Sequence, residues 1–296
     1  MRKFLFKAIA IVAIVVVIDF AVGFMSDRKI VKLPDTTAAL SMTSQVLFQK
    51  TSDILVLGPS TAHHNYNCHI IGDSLNLTAY NAGMNGKDMI YTDIILSEYI
   101  KRSKLKYVIL DVSPAPFDGG WLGRSDDLKN FYSTSEQVRQ YYDNETDFIQ
   151  RIKLKSALYR YNQTLFTLLI RGKQKKNSVD GFEPLKQTAD SIDFGVKEDF
   201  VVDSTELRHF VNIVQTCKKN NAKLICVETP YAIRDKAFSK WIEDFCNENQ
   251  LLFIPEGQKE IYRQHPEWFR DGAHLNEKGT IFFSSSVASQ IKSSRL

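Results

Sequence analysis

The chain has 296 residues, of which 44 % are hydrophobic and 24 % charged, and a formal net charge of +4. This composition fits a globular protein that buries a core, and the charge is too small to suggest a nucleic-acid binder. Zinc-type Cys/His spacing and a phosphate-binding glycine loop are absent from the sequence, so we expect no nucleic acid, metal or cofactor.

The N-terminus is a candidate membrane segment. Basic residues precede an apolar run, 8–18, and after Asp19 the apolar character resumes up to Met25. The basic residues are Arg2, Lys3 and Lys7. They orient the segment with its N-terminus in the cytoplasm. An uncleaved transmembrane anchor over residues 1–25 is favoured, because that length is about enough to cross a bilayer. A signal peptide cleaved after Ala21-Val22-Gly23 stays open, and both interpretations place the rest of the chain outside the cytoplasm, on the periplasmic or cell-surface side.

Residues 26–50 are expected to form a juxtamembrane connector, and residues 51–296 the main domain. In that domain, short continuous apolar runs alternate with segments that have helical spacing. The predicted strands are 53–57, 77–80, 107–110, 224–227 and 251–254. The predicted helices include 90–99, 203–221, 238–245 and 277–291. This alternation predicts an α/β fold with a parallel sheet that is covered on both faces.

Residues 116–199 interrupt this alternation and are expected to be an insertion. The segment is rich in aromatic residues and has a basic stretch from Arg151 to Lys176 without an acidic residue. The basic residues are Arg151, Lys153, Lys155, Arg160, Arg171, Lys173, Lys175 and Lys176. A solvated helical insertion is the favoured interpretation. The alternative is a cap over the functional site that rests on anionic lipid or grips an anionic polymer.

Three short blocks carry candidate chemistry. Ser60 directly follows the first predicted strand, where a hydroxyl is exposed near a helix N-terminus. Asp271 lies three residues before His274 in a loop, so its carboxylate can fold back onto the imidazole Nδ1–H and leave Nε2 facing the serine. Gly83, after the second strand, either donates its N–H to an oxyanion or simply serves a turn. A serine, a histidine and an aspartate in these positions predict acyl chemistry.

These blocks resemble the SGNH (GDSL-like) hydrolase superfamily. Residues 54–60 resemble its nucleophile block, with Pro59 where aspartate is commonest, and residues 81–86 resemble its second block. Asp271 and His274 match its terminal D-x-x-H. The resemblance implies a flavodoxin-like three-layer α/β/α fold.

The resemblance also implies the role of each residue. Ser60 is the expected nucleophile, His274 the base and Asp271 its orienting partner, while the N–H groups of Ser60 and Gly83 serve the oxyanion hole. The family's third block offers an asparagine for that hole. This chain has Asp111-Val112-Ser113-Pro114 there. Without the asparagine the hole is one donor short, and slow hydrolysis of simple activated esters is expected. The alternative is that Ser113 substitutes through its hydroxyl or backbone N–H.

The layout resembles a membrane-anchored subgroup that includes the teichoic-acid D-alanyl-transfer and exopolysaccharide O-acetylation proteins. This implies an acyltransferase or esterase that acts on envelope glycans, with a multi-spanning membrane O-acyltransferase as a possible partner. A non-catalytic scaffold that holds a polymer and keeps a relic triad remains the alternative.

Two further features of the sequence receive a simple interpretation. His63 and His64 follow Ser60, but adjacent side chains diverge on a helix and no third ligand stands out, so no metal is expected. The cysteines lack CxxC spacing and predict unpaired, partly buried thiols, with one disulfide left open in an oxidising compartment. They are Cys68, Cys217, Cys226 and Cys246.

Overall fold

The computed structural model describes residues 1–36, 38–120, 125–169 and 180–294. Its central element is a five-stranded sheet. The strands of that sheet are β1 (Ile54–Leu57), β2 (Ala79–Asn81), β3 (Tyr107–Val112), β5 (Lys223–Glu228) and β7 (Leu252–Ile254). A separate two-stranded sheet consists of β4 (Gly195–Lys197) and β6 (Ile233–Asp235). The predicted strands do not include this second sheet.

The helices before the insertion are α1 (Arg2–Ile30), α2 (Ala39–Phe48), α3 (Ser60–Asn65), α4 (Cys68–Leu75) and α5 (Met89–Tyr99). Those within it are α6 (Glu136–Glu145), α7 (Phe148–Lys155), α8 (Ala157–Tyr161) and α9 (Leu165–Leu169). The later ones are α10 (Ser204–Lys219), α11 (Lys236–Asn249), α12 (Ile261–Gln264) and α13 (Glu277–Ser293). Short 3-10 helices cover Asp126–Phe131, Glu256–Gln258 and Pro266–Trp268.

All neighbouring strands of the main sheet are parallel, in the order β2-β1-β3-β5-β7. Counted within this sheet alone, the order is 2-1-3-4-5, which is that of flavodoxin-like folds. After β2 the chain crosses to the other side of β1 and forms β3 there. The loops that follow β1 and β3 therefore lead to opposite sides of the sheet and border a crevice at its carboxyl edge. The predicted α/β fold with a parallel sheet is confirmed.

Apolar side chains of the strands alternate between two faces, and each face buries a separate core. Leu55, Val108 and Leu224 face a core shared with α2, α5, α10 and α11. Ile54, Ile109 and Ile225 face the other core, which is closed by α3, α4 and α13. Both faces of a parallel sheet are covered, which explains why its strands are continuous apolar runs in the sequence.

Helix α10 begins where the sequence predicts. Asp203 is its N-cap, and its Oδ1 accepts hydrogen bonds from the N–H groups of Thr205 and Glu206. Glu206 does not complete a capping box, because its Oε2 accepts from the Met89 N–H on α5 instead, at 3.0 Å. The Glu206 side chain therefore links two helices of one layer.

Helix α1 is 29 residues long, and its most apolar window has a mean hydropathy of 2.8 with only 6 % of it buried. It is a candidate membrane span or signal sequence, and its small buried fraction distinguishes it from a core helix. Helix α2 follows after a turn and carries the buried residues Met42, Val46 and Leu47. Much of the expected connector 26–50 thus packs into the domain, because α2 presents an apolar face to α5.

The insertion has two parts with different neighbours. Its helices α8 and α9 pack against α1, and α6 packs against α5. The extended part, 180–189, runs along α3 and the loop before α13 instead. Gly181 has φ +81° and lies so close to the end of β2 that a Cβ would approach the Asn81 carbonyl oxygen to 1.8 Å. The basic residues 171–176 and Trp121 lie outside the described residues.

Candidate active site

Ser60 lies at the carboxyl edge of the sheet, two residues after the turn that ends β1. Gly58 makes this turn with φ +137°, and a Cβ there would approach the Asp111 Cβ to 2.9 Å. Helix α3 begins at Ser60, so the Ser60 N–H has no acceptor within the helix. Its side chain is partly exposed. A glycine turn between strand and helix thus presents both the hydroxyl and the N–H to the crevice.

The loop that contains Asp271 and His274 is held from both sides. The Leu275 N–H donates to Asn65 Oδ1 on α3 at 2.9 Å, and the Ala232 N–H donates to the Gly272 carbonyl at 2.9 Å. These bonds tie the loop to the helix that begins with the serine and to the segment after β5. Residues far apart in the chain are brought to one edge by this attachment.

Ser60, His274 and Asp271 form a hydrogen-bonded chain. Ser60 Oγ lies 2.8 Å from His274 Nε2, and His274 Nδ1 lies 2.8 Å from Asp271 Oδ1 and 3.0 Å from Oδ2. The side chains of His274 and Asp271 are 21 % and 37 % exposed, so solvent and a ligand can reach them. An acceptor carboxylate at Nδ1 fixes the tautomer in which Nε2 can take a proton from the serine.

Asp271 is held as a carboxylate. Burial raises its pKa, but the Ala273 N–H bond and the interaction with His274 outweigh that effect, and the pKa lies below its ordinary value. The Arg270 guanidinium also donates to Asp271 Oδ2 at 2.8 Å. An anion beside Nδ1 is the state that stabilises a histidine which gains a proton.

A second carboxyl group, that of Asp111, lies buried below the serine turn. It accepts hydrogen bonds from the hydroxyls of Thr61, Tyr66 and Thr229. Burial raises the pKa of Asp111 to about 6, against the lowering effect of these three bonds. Thr61 follows Ser60 directly, so Asp111 fixes the turn that carries Ser60. Asp111 is not among the residues predicted for the site.

Two of the three predicted oxyanion donors, Gly83 and Ser113, are bonded or buried in the structure. The Gly83 N–H donates to Asn81 Oδ1 at 2.9 Å, which engages the group that was expected to face an oxyanion. Gly83 is instead required by close packing, since a Cβ would lie 2.5 Å from the His63 nitrogen. Ser113 is buried, with 1 % of its surface exposed. Of the expected donors, the Ser60 N–H is the one that the structure leaves at the crevice.

Asn85 lies in the predicted second block, residues 81–86, and no role of its own was predicted for it. The Met84 N–H donates to the Gly58 carbonyl at 3.0 Å, which brings Asn85 beside the serine turn. Its Oδ1 lies 3.0 Å from His63 Nδ1, so Nδ1 carries the proton and the amide NH₂ of Asn85 remains a donor. Asn85 is exposed. The signal in the sequence that could have identified Asn85 is its place two residues after Gly83 in the second block.

His63 and His64 lie on α3, one turn after Ser60. Burial and, to a smaller extent, the neighbouring His64 lower the pKa of His63 to about 4. The His64 ring meets the His274 ring edge-on, with centroids 5.7 Å apart. Both imidazoles are therefore part of the wall of the site, and His63 is neutral at pH 7.

His63, His64 and Glu183 bring three ligand atoms within 4.8 Å of one another. In a tetrahedral zinc site, bonds of about 2.0–2.1 Å place ligand atoms roughly 3.4 Å apart, so this group would have to contract to hold zinc. The third ligand comes from the insertion, which sequence spacing could not reveal. That the chain uses no metal stays a prediction.

Comparison with known proteins adds structural likenesses only. No family profile and no curated protein matches the chain. A GDSL-like lipase from Bacteroides thetaiotaomicron is similar over 82 % of this chain and 88 % of that one, at 11 % identity and a TM-score of 0.39. A lipase/acylhydrolase from Enterococcus faecalis is similar over 81 % and 95 %, at 13 % identity and a TM-score of 0.42. Structural similarities with TM-scores this low do not indicate the activity of this chain. The function is therefore inferred from the site geometry described above.

Proposed function

We propose that this chain is a membrane-anchored, serine-dependent enzyme that hydrolyses or transfers acyl esters of cell-envelope glycans outside the cytoplasm. The observation that carries the proposal is the chain of contacts from Ser60 Oγ through His274 to Asp271, with distances of 2.8 Å at both hydrogen bonds. The motif resemblance to SGNH hydrolases supports the same assignment of roles.

The proposed reaction has two steps. Ser60 Oγ attacks the ester carbonyl carbon while His274 Nε2 takes the hydroxyl proton, and the carbonyl oxygen becomes an oxyanion. The C–O bond to the leaving alcohol then breaks, and His274 returns the proton to that alcohol. Water or a sugar hydroxyl next attacks the acyl-serine, giving its proton to His274, and Ser60 Oγ leaves with the proton returned. No co-reactant is needed beyond ester and acceptor.

The oxyanion needs donors, and the Ser60 N–H is one of them. We propose that the Asn85 side-chain NH₂ is the second and takes the place of the asparagine that the family's third block normally supplies. Its support is the position of Asn85 beside the serine turn and the engagement of its Oδ1 by His63, which aims the amide. Preorganised donors of this kind typically contribute about 10²–10³-fold in rate.

The test is hydrolysis of p-nitrophenyl acetate by the full-length protein in nanodiscs, with and without Ser60→Ala. We expect a rate loss of roughly 10⁴–10⁶-fold and an acyl-serine at Ser60 in the wild type by mass spectrometry after rapid acid quench. Ser285→Ala, an exposed serine on α13, is the matched control and should keep full activity. Equal rates for the Ser60 and Ser285 variants would leave the non-catalytic scaffold as the function.

The proposed anchor rests on contacts of α1 with the domain. Asp19 Oδ1 accepts from Ser156 Oγ at 2.7 Å and from the Leu158 N–H at 2.8 Å. A signal peptide removed after Gly23 would take these contacts away, which favours an uncleaved anchor. A reporter fused after residue 296 should be active only outside the cytoplasm, and the mature protein should begin at or near Met1. A mature N-terminus near Phe24 would exclude the anchor.

Transfer is favoured over hydrolysis by tethering, because a membrane anchor holds the site near membrane-linked polymer at high effective concentration. A multi-spanning O-acyltransferase is the proposed source of acyl groups for that reaction. Because the side chains of His274 and Asp271 are partly exposed, transfer requires that the bound acceptor itself excludes water. Deletion of the gene followed by measurement of esterified acyl groups on envelope polysaccharides separates the two reactions: loss of acylation identifies transfer, and accumulation identifies an esterase.

A further inference from the structure

Helix α7 exposes an apolar face that nothing in the described part of the chain covers. Phe148, Ile149 and Ile152 are 68 %, 62 % and 51 % exposed. Positions 148 and 152 are one helical turn apart, and 149 and 152 are three residues apart, so the three side chains form one continuous arc. An exposed arc of large apolar side chains marks an interaction surface rather than ordinary surface.

Exposed lysines lie beside this arc, and a buried leucine lies on the opposite side of the helix. Lys153 lies one turn after Ile149, and Lys155 lies three residues after Ile152, so an exposed lysine flanks the arc on each side. Leu154, on the opposite side of the helix, is fully buried in the domain core. Lysines beside an apolar face can lay their stems along the apolar phase and extend their charge to phosphate groups.

The position of α7 is fixed relative to the candidate membrane helix α1. Asp19 of α1 accepts hydrogen bonds from Ser156, Ala157 and Leu158, which directly follow α7. One turn further along α1, Gly23 allows close contact, since a Cβ there would lie 3.2 Å from the Ala157 Cβ. The attachment therefore begins at the first residue after α7.

The side chains of α1 indicate the depth of this attachment. On the side away from the domain, Phe20, Phe24 and Met25 remain large, apolar and exposed. Asp19 precedes Met25 by six residues, which is about 9 Å along a helix axis. The α7–α8 junction therefore meets α1 roughly 9 Å below the last side chain that suits lipid. Interfacial helices bury their apolar face by about 5–10 Å, which is a comparable depth.

We infer that α7 is an interfacial helix that inserts Phe148, Ile149 and Ile152 into the outer surface of the bilayer that α1 enters. The occupant is lipid, because the residues that directly follow α7 are bonded to Asp19, within the apolar span of α1, and because lysines flank the arc on both sides. A second contact with the bilayer besides α1 restrains the tilt of the domain and so gives the catalytic edge one orientation to the membrane. The inference depends on α1 being an anchor and not on the role of Ser60.

The experiment is a depth measurement on the full-length protein in nanodiscs of phosphatidylcholine and phosphatidylglycerol. A nitroxide label is placed at Ile149→Cys, and the control carries the label at Ile281→Cys on α13, where the native isoleucine is 50 % exposed against 62 % for Ile149. The four native cysteines are buried and unpaired, so both labels attach to the introduced thiol. Power saturation then compares access of oxygen, which concentrates in lipid, with that of a water-soluble nickel chelate.

We expect the label at position 149 to be more accessible to oxygen and the label at position 281 to the nickel chelate. The inference is overturned if both labels give the aqueous result. It is also overturned if the label at 149 is shielded from both reagents, since a protein surface would then cover the arc. Both substitutions replace exposed side chains, and retained thermal unfolding of each variant in the nanodisc checks the fold.

Discussion

The sheet edge that holds Ser60 and the contact between α1 and the insertion each use a partly buried carboxylate, in different arrangements. At the edge, Asp271 and His274 bond each other and Ser60, and their side chains stay partly exposed. At the contact with the insertion, the comparable carboxylate is Asp19 of α1, whose partners are backbone and hydroxyl donors of residues 156–158. The first arrangement joins three side chains that stay accessible to solvent, and the second fixes the position of a helix. An aspartate thus orients an imidazole at one place and holds backbone N–H groups at the other, and only the first arrangement is the one that the proposed chemistry needs.

After Ser60→Ala, the largest effect should come from removing the negative charge of Asp271 while keeping the shape of its side chain. In Asp271→Asn, the amide can present an N–H to His274 Nδ1 and so favour the tautomer that cannot accept the serine proton. We expect kcat for p-nitrophenyl acetate to fall by about 10⁴-fold. Asp73→Asn, an exposed aspartate on α4, is the matched control. A fall of less than tenfold would assign Asp271 to loop structure alone and would remove the distinction from Asp19.

Removal of the Asn85 amide should have the next largest effect. Asn85→Ala deletes one donor for the oxyanion and should lower kcat by about 10²-fold with little change in KM, because the donor acts on the transition state. Asn247→Ala, at an exposed position of α11, should leave both parameters unchanged. If Asn85→Ala matches this control, the second donor lies elsewhere at the edge.

The buried imidazole of His63 should make stability depend on pH. Its pKa is lowered from 6.5 to about 4 by burial, so the unfolded chain takes up a proton before the folded one does. The stabilisation that the neutral His63 side chain gives the folded state is therefore fully present above pH 6.5 and is lost as the pH falls from there towards 4. Between pH 7.5 and pH 5, the wild type should lose roughly 2 kcal/mol of unfolding free energy relative to His63→Gln. Denaturant unfolding in detergent at both pH values measures it, and parallel losses would contradict it.

The smallest effect should fall on the insertion. Asp19→Ala removes three hydrogen bonds between α1 and the start of α8, and we expect a local loss of about 1 kcal/mol, as for a helix cap. Amide exchange at Leu158 and Tyr159 should accelerate about fivefold while the esterase rate is unchanged. Asp147→Ala, which removes the N-cap of α7 without touching α1, should accelerate exchange at Gln150 instead. Equal exchange at Leu158 in both variants would show that α1 does not hold the insertion.

Much of the framework could be predicted because it is recorded locally in the sequence. Continuous apolar runs predict strands that are covered on both faces, and each predicted strand lies within two residues of the observed β1, β2, β3, β5 or β7. The contact between Asp271 and His274 is equally local, since three residues of a turn suffice to bring the carboxylate to Nδ1. Such features depend on backbone periodicity and on hydrogen bonds between residues a few positions apart. The order of residues in the sequence specifies both directly.

What only the tertiary structure decided are relations between distant segments. Ser60 meets His274 across 214 residues because Asn65 holds the Leu275 N–H. Gly83 turned out to serve close packing, since its N–H is taken by Asn81, and Asn85 came to the serine turn through the bond of its neighbour to Gly58. The docking of the insertion on Asp19 and the burial of α2 were equally invisible in the sequence. Each of these contacts depends on which surfaces pack against each other in the folded protein. The local composition of a segment is compatible with several packing arrangements and does not select one.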